Sequence, residues 1–154
     1  YTKEDTLSLH DALPICLIIA VDFDGTIVDD AYPGIGKPKL FAFQTLKKMQ
    51  DNGHRLILWT YRHGKRLREA EEFCKENGIE FYAVNRSFPE EPSHDEKVSR
   101  KIHADLFIDD RNFGGFPGWG EIYHGLFPEK TDLNKLEKRE RPREGFLGKL
   151  LGGR

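Results

Sequence analysis

The sequence predicts an α/β protein with a three-layer, Rossmann-like fold around a mostly parallel central sheet. Short apolar runs, typical of strands that are buried on both faces, alternate with amphipathic segments of helical spacing. Two of the amphipathic segments end at a glycine placed to stop a helix, Gly53 and Gly78. Repeated strand, helix, strand units imply right-handed crossovers, with helices on both faces of the sheet.

The same patterns place each element along the chain. Strands are predicted for CLIIAV (16–21), HRLILWT (54–60), IEFYAV (79–84) and residues 104–108. Helices are predicted within 39–53 and 64–78, and EIYHGLF (121–127) is expected to form a last short strand or helix. The segment DGTIVDDAYPGIGKPK (24–39) is rich in Gly and Pro, which predicts an irregular loop or small flap after the first strand.

Length and composition predict one domain with a single core. The chain has 154 residues, of which 38% are hydrophobic and 32% are charged, and its formal net charge is −2. The longest apolar run is far shorter than the roughly 20 residues that span a bilayer, so we expect no membrane segment. A weak overall charge does not favour nucleic acid as a partner. Cys16 and Cys74 lack a metal-ligand spacing and are interpreted as reduced thiols of a cytoplasmic protein.

We expect the folded domain to occupy residues 16–128. Residues 1–15 show no targeting pattern, and TLSLHDALPI (6–15) resembles the translation of a sequencing-library adapter. We therefore interpret residues 1–15 as a non-native or disordered leader without a functional role. Residues 129–154 form a charged C-terminal tail, which we interpret as a solvated segment.

Polar side chains follow three of the predicted strands. Asp22 and Asp24 follow the first strand, Thr60 ends the second, and Asp109 and Asp110 follow the fourth. In open parallel sheets, ligands bind outside the carboxyl ends of the strands. Residues two apart in an extended segment point the same way, so both acids of the first pair can face one site. The sequence therefore predicts a polar site at this edge of the sheet.

Four carboxylates at one crevice repel one another, which predicts that a cation accompanies them. Hard oxygen ligands without His or Cys favour Mg²⁺ over zinc. The Lys101 ammonium, just before the fourth strand, would neutralise one further charge. A site with a metal ion, a lysine and a nucleophilic carboxylate suits phosphoryl chemistry. Asp29 and Asp30 lie beyond the turn, in the flap, and are interpreted as surface residues.

These residues carry a resemblance to a known family. DFDGT (22–26) resembles the first motif, D-x-D-G-T, of the haloacid dehalogenase (HAD) superfamily of aspartate-nucleophile phosphohydrolases. Thr60 resembles the second motif, Lys101 the third, and FIDD (107–110) the acidic fourth, in the family's order over residues 16–123. The stretches IIAVDFDGTIV, RLILWTYR and LFIDDRNFGGFPGWGEIY resemble a small bacterial subgroup of this superfamily, cap-less or minimally capped.

The resemblance implies catalytic roles for four residues. Asp22 would attack the phosphate to form an aspartyl-phosphate, and Asp24 would protonate the leaving alcohol and then deprotonate the hydrolytic water. Thr60 would bind a phosphate oxygen. Lys101, or one of its basic neighbours Lys97 and Arg100, would steady the nucleophile and the phosphate.

The resemblance also implies a set of metal ligands. Mg²⁺ would be held by Asp22, by the main-chain carbonyl of Asp24 and by one or both of Asp109 and Asp110. Asp110 is our choice for the inner ligand, because the family more often has a small residue before the ligating acid.

The spacing between the motifs leaves no room for a large cap domain. We therefore expect an open site that takes a small phosphorylated substrate held by loops, or else a bulky phosphorylated one. Arg62, two residues after Thr60, is placed to bind a substrate phosphate or carboxylate, and Arg111 could do likewise.

The function predicted on these grounds is Mg²⁺-dependent hydrolysis of phosphate monoesters. Two alternatives within enzymes are phosphoryl transfer to another acceptor and action on a nucleotide or polynucleotide phosphate end. An alternative outside enzymes is a receiver-like phosphoacceptor or metal-binding module. The sequence leaves the substrate and the oligomeric state open.

Overall fold

A computed structural model of the protein describes residues 16–92 and 99–128. The predicted leader and C-terminal tail lie outside these residues. The strands are β1 (Ile18–Val21), β2 (Arg55–Leu58), β3 (Ala83–Val84) and β4 (Leu106–Ile108). The helices are α1 (Ala42–Asp51), α2 (Gly64–Glu76) and α3 (Trp119–Leu126), so the last predicted element is a helix.

The four strands form one parallel sheet in the order β3-β2-β1-β4. The chain steps outward from β1 through β2 to β3 and then returns across β1 to β4. The reversal makes the gap between β1 and β4 a switch point, where the loops after adjacent strands leave in opposite directions. A Rossmann-like α/β fold with a parallel central sheet is confirmed.

The main core lies between one face of the sheet and all three described helices. Alternate strand residues such as Ile19, Val21 and Leu56 point to this face. The helices contribute buried apolar side chains, among them Leu46, Met49, Ala70, Cys74, Trp119 and Tyr123. Right-handed crossovers in the same direction place α1 and α2 on the same face, which explains why these two helices share it.

The opposite face of the sheet carries a smaller cluster without a helix among the described residues. Ala20 and Ile57 point to this face and pack with Ala83 and with Ile102, from the segment that returns from β3 to β4. Helices on both faces were expected; among residues 16–92 and 99–128, the segment that returns from β3 to β4 packs on this face. Residues 93–98 of that crossover lie outside the described part of the chain.

Both described cysteines are free, as expected for reduced thiols. Burial raises the pKa of the Cys74 thiol to about 12, which keeps it protonated and unreactive. Cys16 is exposed, and its thiol donates to the Gly53 carbonyl.

The predicted flap is an irregular loop between β1 and α1. Backbone hydrogen bonds join Asp29 to Lys37 and Lys39 to Ile27, so the loop closes on itself at its base. Between Asp24 and Thr60 the chain contains this flap, α1 and β2 and no cap domain. Among residues 16–92 and 99–128, no helix combines the length and apolar character that a membrane crossing requires.

Candidate active site

Three acidic side chains converge at the carboxyl edge of the sheet. β1 and β4 are adjacent and parallel, and the Asp22 amide continues their ladder by donating to the Ile108 carbonyl at 2.9 Å. This register brings Asp22 beside Asp109 and Asp110, and one carboxylate oxygen from each lies within 4.8 Å of the others. The sequence prediction that these acids share one site is thus matched by the structure.

The environment of Asp22 opposes its negative charge. Burial is the main cause that raises its pKa, to about 7, and the Asp109 and Asp110 carboxylates raise it further. Hydrogen bonds from the Phe23 amide and the Thr26 hydroxyl act in the opposite sense and favour the ionised form. A cation close to the three carboxylates would restore the ionised state of Asp22 at neutral pH.

Thr26 connects two of the acids, and no role was predicted for it from the sequence. Its hydroxyl donates to Asp22 Oδ2 at 3.1 Å and accepts from the Asp110 amide at 3.0 Å. Its carbonyl accepts from the indole Nε1 of Trp119 at 2.8 Å, so α3 holds the loop from behind. The sequence feature that could have indicated a role for Thr26 is its place as the threonine of the D-x-D-G-T motif. In the structure this threonine is wholly buried beside Asp22 and Asp110.

Gly25 gives Asp110 room to approach this loop. Gly25 has a φ of +83°, and a Cβ at this position would lie 2.3 Å from Asp110 Oδ2. The other oxygen, Asp110 Oδ1, is buried and accepts no hydrogen bond. Arg111 Nε, 3.9 Å away, is close enough for an ion pair but too far for a hydrogen bond.

The three carboxylates fit a hard divalent cation. Asp110 Oδ1 is a buried acceptor without a hydrogen-bond donor, which a bound cation would satisfy. The donor set consists of oxygens alone, as Mg²⁺ prefers. The Asp24 carboxylate does not belong to this group, since it turns toward Arg62. Ligation by its main-chain carbonyl stays a prediction.

Arg62 is a buried partner of Asp24. Its side chain is wholly buried, and its Nε and Nη2 each donate to one oxygen of Asp24 at 2.7 Å. Nη2 also donates to the Gly34 carbonyl and Nη1 to the Pro33 carbonyl at 3.4 Å. The guanidinium lies 4.9 Å from the Phe23 ring centre and 5.4 Å from that of Tyr32.

These contacts differ from the substrate-binding role predicted for Arg62. Four of its five N–H donors bond to other groups of the protein, so the guanidinium cannot bind a ligand in a bidentate way. Arg62 instead fixes the Asp24 carboxylate and fastens the flap to the loop after β2. The sequence placed Arg62 at the correct edge but could not show which way its side chain turns.

The loop after β2 brings Thr60 to the cleft. Its amide donates to Asn85 Oδ1 at 2.8 Å, and its hydroxyl accepts from the Arg62 amide at 3.3 Å. Asn85, which follows β3 with a φ of 50°, thus holds this loop and is a second residue that sequence reasoning missed.

A cleft of about 710 Å³ opens above these residues. The predicted residues Asp22, Asp24, Thr60, Arg62 and Asp109 line it, and so does Arg111, whose side chain is 83% exposed. Residues that were not predicted line it too: Asp30, Tyr32, Trp59 and Tyr61. Asp30 was interpreted as a surface residue of the flap, and it is exposed at the rim of the cleft.

Lys101 is not brought to this cleft. It is exposed and lines a separate pocket with Ile18, the first residue of β1, whereas Asp22 follows the last. The register explains this position: the Asp105 amide donates to the Ile18 carbonyl, so residues before β4 lie at the amino edge of the sheet. Of its basic neighbours, Arg100 is exposed and Lys97 lies outside the described residues.

A solved structure, described as that of a conserved protein from Bacteroides thetaiotaomicron, matches this fold with a TM-score of 0.69 and 54% sequence identity. The match covers 75% of this chain and 93% of that one. The chain belongs to the family of this conserved Bacteroides protein. No family model and no curated protein matches the chain. Membership in the Bacteroides protein's family supports the fold and leaves the activity to be argued from the site.

Proposed function

We propose that the protein is a Mg²⁺-dependent phosphate monoester hydrolase of the HAD type. The observation that carries the proposal is the convergence of Asp22, Asp109 and Asp110 at the carboxyl edge of a parallel sheet, with one buried oxygen, Asp110 Oδ1, that accepts no hydrogen bond. Bound Mg²⁺ would supply the positive charge that lets a phosphate dianion approach these acids.

The chain's own residues would carry two chemical steps. An Asp22 oxygen attacks phosphorus and the bond to the alcohol oxygen breaks, while the Asp24 carboxyl gives its proton to the leaving alcohol. Asp24 then takes a proton from water, and the resulting hydroxide attacks the aspartyl-phosphate and releases inorganic phosphate. Thr60 would hold a phosphate oxygen from the opposite side of the cleft.

Arg62 adds a positioning role to this proposal. Both oxygens of Asp24 accept hydrogen bonds from the buried guanidinium, which holds the carboxylate plane in one orientation. A fixed carboxylate can meet the leaving oxygen without first losing rotational freedom.

The test uses the purified protein with 4-nitrophenyl phosphate. We expect hydrolysis with Mg²⁺, none after chelation, and a loss of at least about 100-fold in kcat for Asp22→Asn. Asp29→Asn is the matched control, because Asp29 lies in the flap and pairs with Lys39 at the surface. Full turnover by Asp22→Asn, or turnover that is indifferent to chelation, would overturn the proposal. Calorimetric titration with Mg²⁺ gives a second readout.

A second candidate is a phosphoacceptor module, and one observation favours it. A carboxylate whose two oxygens are engaged by Arg62 has less capacity to serve as the proton carrier that rapid hydrolysis needs. Treatment with acetyl phosphate, followed by intact mass measurement, distinguishes the two. A phosphorylated species that persists for many minutes favours the phosphoacceptor, whereas rapid release of phosphate favours the hydrolase.

A further inference from the structure

The cleft beside Asp22, Asp109 and Asp110, which we call the acidic centre, has an aromatic wall. Tyr32 from the flap and Trp59 and Tyr61 from the loop after β2 all line it. The Tyr61 side chain flanks Thr60 in sequence and is 93% exposed, and Tyr32 is 51% exposed. Large apolar rings left in water next to a polar site indicate a surface that a ligand covers.

The geometry of Tyr32 supports a binding role for its ring. The Arg62 guanidinium lies 5.4 Å from the ring centre and donates to the carbonyls of the next two residues, Pro33 and Gly34. The ring therefore packs against a buried side chain that also holds its backbone. Half of the side chain nevertheless remains in contact with solvent. A ring whose position is already fixed by the protein, with one side exposed to solvent, loses little conformational entropy when a ligand ring packs against it.

We propose that the substrate is a phosphate monoester of a small alcohol that carries a flat aromatic ring, which packs against Tyr32 and Tyr61. This inference rests on the proposed hydrolase function and names its substrate class. The phosphate would lie at Asp22 and Thr60, and the ring would lie against the aromatic wall. The volume of about 710 Å³ is in the range of small-molecule sites.

The charges of the cleft argue against a substrate with several anionic groups. Of the two cations among the described lining residues, Arg62 is engaged by Asp24 and the flap carbonyls. Arg111 remains, with its Nε 3.9 Å from Asp110 Oδ1, and the exposed Asp30 adds a negative charge to the lining. A single available cation does not form the basic cluster that a polyphosphate would need.

The test compares two esters that differ only in the ring. 2-Phenylethyl phosphate and 2-cyclohexylethyl phosphate have alkoxide leaving groups of similar basicity and groups of similar size, but only the first has a flat π face. We expect kcat/KM with Mg²⁺ to be about fivefold higher for the phenyl ester. Tyr61→Ala should lower this preference for the phenyl ester over the cyclohexyl ester. Phe113→Ala is the control, because Phe113 is fully exposed and does not line the cleft.

Binding of the two corresponding phosphonates, measured by calorimetry with Mg²⁺, separates the inference from the proposed function. If neither ester is hydrolysed but the phenyl phosphonate binds more tightly in a Tyr61-dependent way, the hydrolase proposal fails and the aromatic site stands. If the esters are hydrolysed equally well, or if Tyr61→Ala keeps the preference, the aromatic site is overturned and the hydrolase stands. If neither phosphonate binds and neither ester is hydrolysed, both are overturned.

Discussion

Arg62 and Asp24, which lie on different loops, form a bidentate ion pair with both N···O distances at 2.7 Å. The pair joins the loop after β1 to the loop after β2, and through Pro33 and Gly34 it also holds the flap. Because its side chain is wholly buried and makes four hydrogen bonds, we expect Arg62 to contribute to the free energy of unfolding as well as to activity.

Replacing Arg62 should therefore destabilise the protein strongly. Arg62→Ala leaves the Asp24 carboxylate, 17% exposed, without its counter-charge, and we expect a loss of about 3–5 kcal/mol in the free energy of unfolding. Urea denaturation measures this loss. Arg62→Lys keeps the charge but cannot form the bidentate ion pair, so its free energy of unfolding should lie between those of the wild type and Arg62→Ala. Arg111→Ala is the control for loss of a cleft arginine, because its side chain is 83% exposed, and equal effects of the two alanine variants would refute the prediction.

Asp22 should make stability depend on pH in the absence of Mg²⁺. Burial raises the pKa of Asp22 in the folded protein to about 7, whereas a free aspartate carboxyl has a pKa of 3.8. Between these values the unfolded chain binds fewer protons, so this carboxyl lowers stability progressively as pH rises, and its effect is complete above about pH 7.

Asp22→Asn removes that contribution. Its melting temperature relative to wild type should rise between pH 4 and pH 8, by on the order of 5 °C. Mg²⁺ should stabilise the wild type at pH 8 and leave the variant nearly unchanged. Asp51→Asn, at an exposed acid on α1, serves as the control. A constant difference between Asp22→Asn and wild type across this range would contradict the expectation.

Gly25 and Gly53 allow backbone strain to be separated from crowding at the site. Both have a φ of +83°, but a Cβ at Gly53 meets nothing within 4 Å, whereas one at Gly25 meets Asp110 Oδ2. Either alanine variant should lose about 1–2 kcal/mol of stability from the backbone alone. Only Gly25→Ala should also displace Asp110 and weaken Mg²⁺ binding. Calorimetric titration of both variants checks this, and equal Mg²⁺ affinities would show that Asp110 is not a ligand.

Thr26 and Thr45 are a second matched pair, since both are fully buried. The Thr26 hydroxyl bonds to Asp22 and to the Asp110 amide, whereas the Thr45 hydroxyl has no hydrogen-bond partner. Thr26→Val should cost about 1–3 kcal/mol because it leaves buried polar groups unpaired. Thr45→Val should be neutral or stabilising, and Thr26→Ser should recover much of the loss. Thermal unfolding of the three variants tests this order.

Lys101 should be dispensable for hydrolysis. It lines a separate pocket with Ile18 and not the cleft at Asp22, so Lys101→Ala should keep kcat/KM within about threefold of the wild-type value. Steady-state kinetics with 4-nitrophenyl phosphate decides the matter. A loss of several hundredfold would restore the role that the motif resemblance gave to this lysine.

The sequence could predict the acidic centre because its place in the fold follows from the parallel direction of the strands. Asp22, Asp109 and Asp110 directly follow parallel strands, and such positions meet at one edge whatever the surrounding side chains do. Lys101 comes before its strand, and residues that precede a parallel strand lie toward its amino edge, so the role predicted for this lysine rested on the motif resemblance and not on strand geometry.

Arg62 shows a different limit. Its partners, Asp24 and Gly34, are far from it in the chain, and the choice between a solvent-facing and an inward rotamer is made by those tertiary contacts. The aromatic wall was missed for a similar reason: Tyr32 and Tyr61 occupy separate loops that come together only when the flap folds over the sheet edge.

The hydrogen bond from Trp119 to the Thr26 carbonyl has a consequence for synthesis on the ribosome. Asp22 belongs to the first described strand, its partner acids follow the last, and the helix that supports their loop comes later still. A growing chain therefore displays Asp22 and Asp24 long before the groups that complete their surroundings have been translated. The metal binding proposed for this centre should begin only after α3 has emerged.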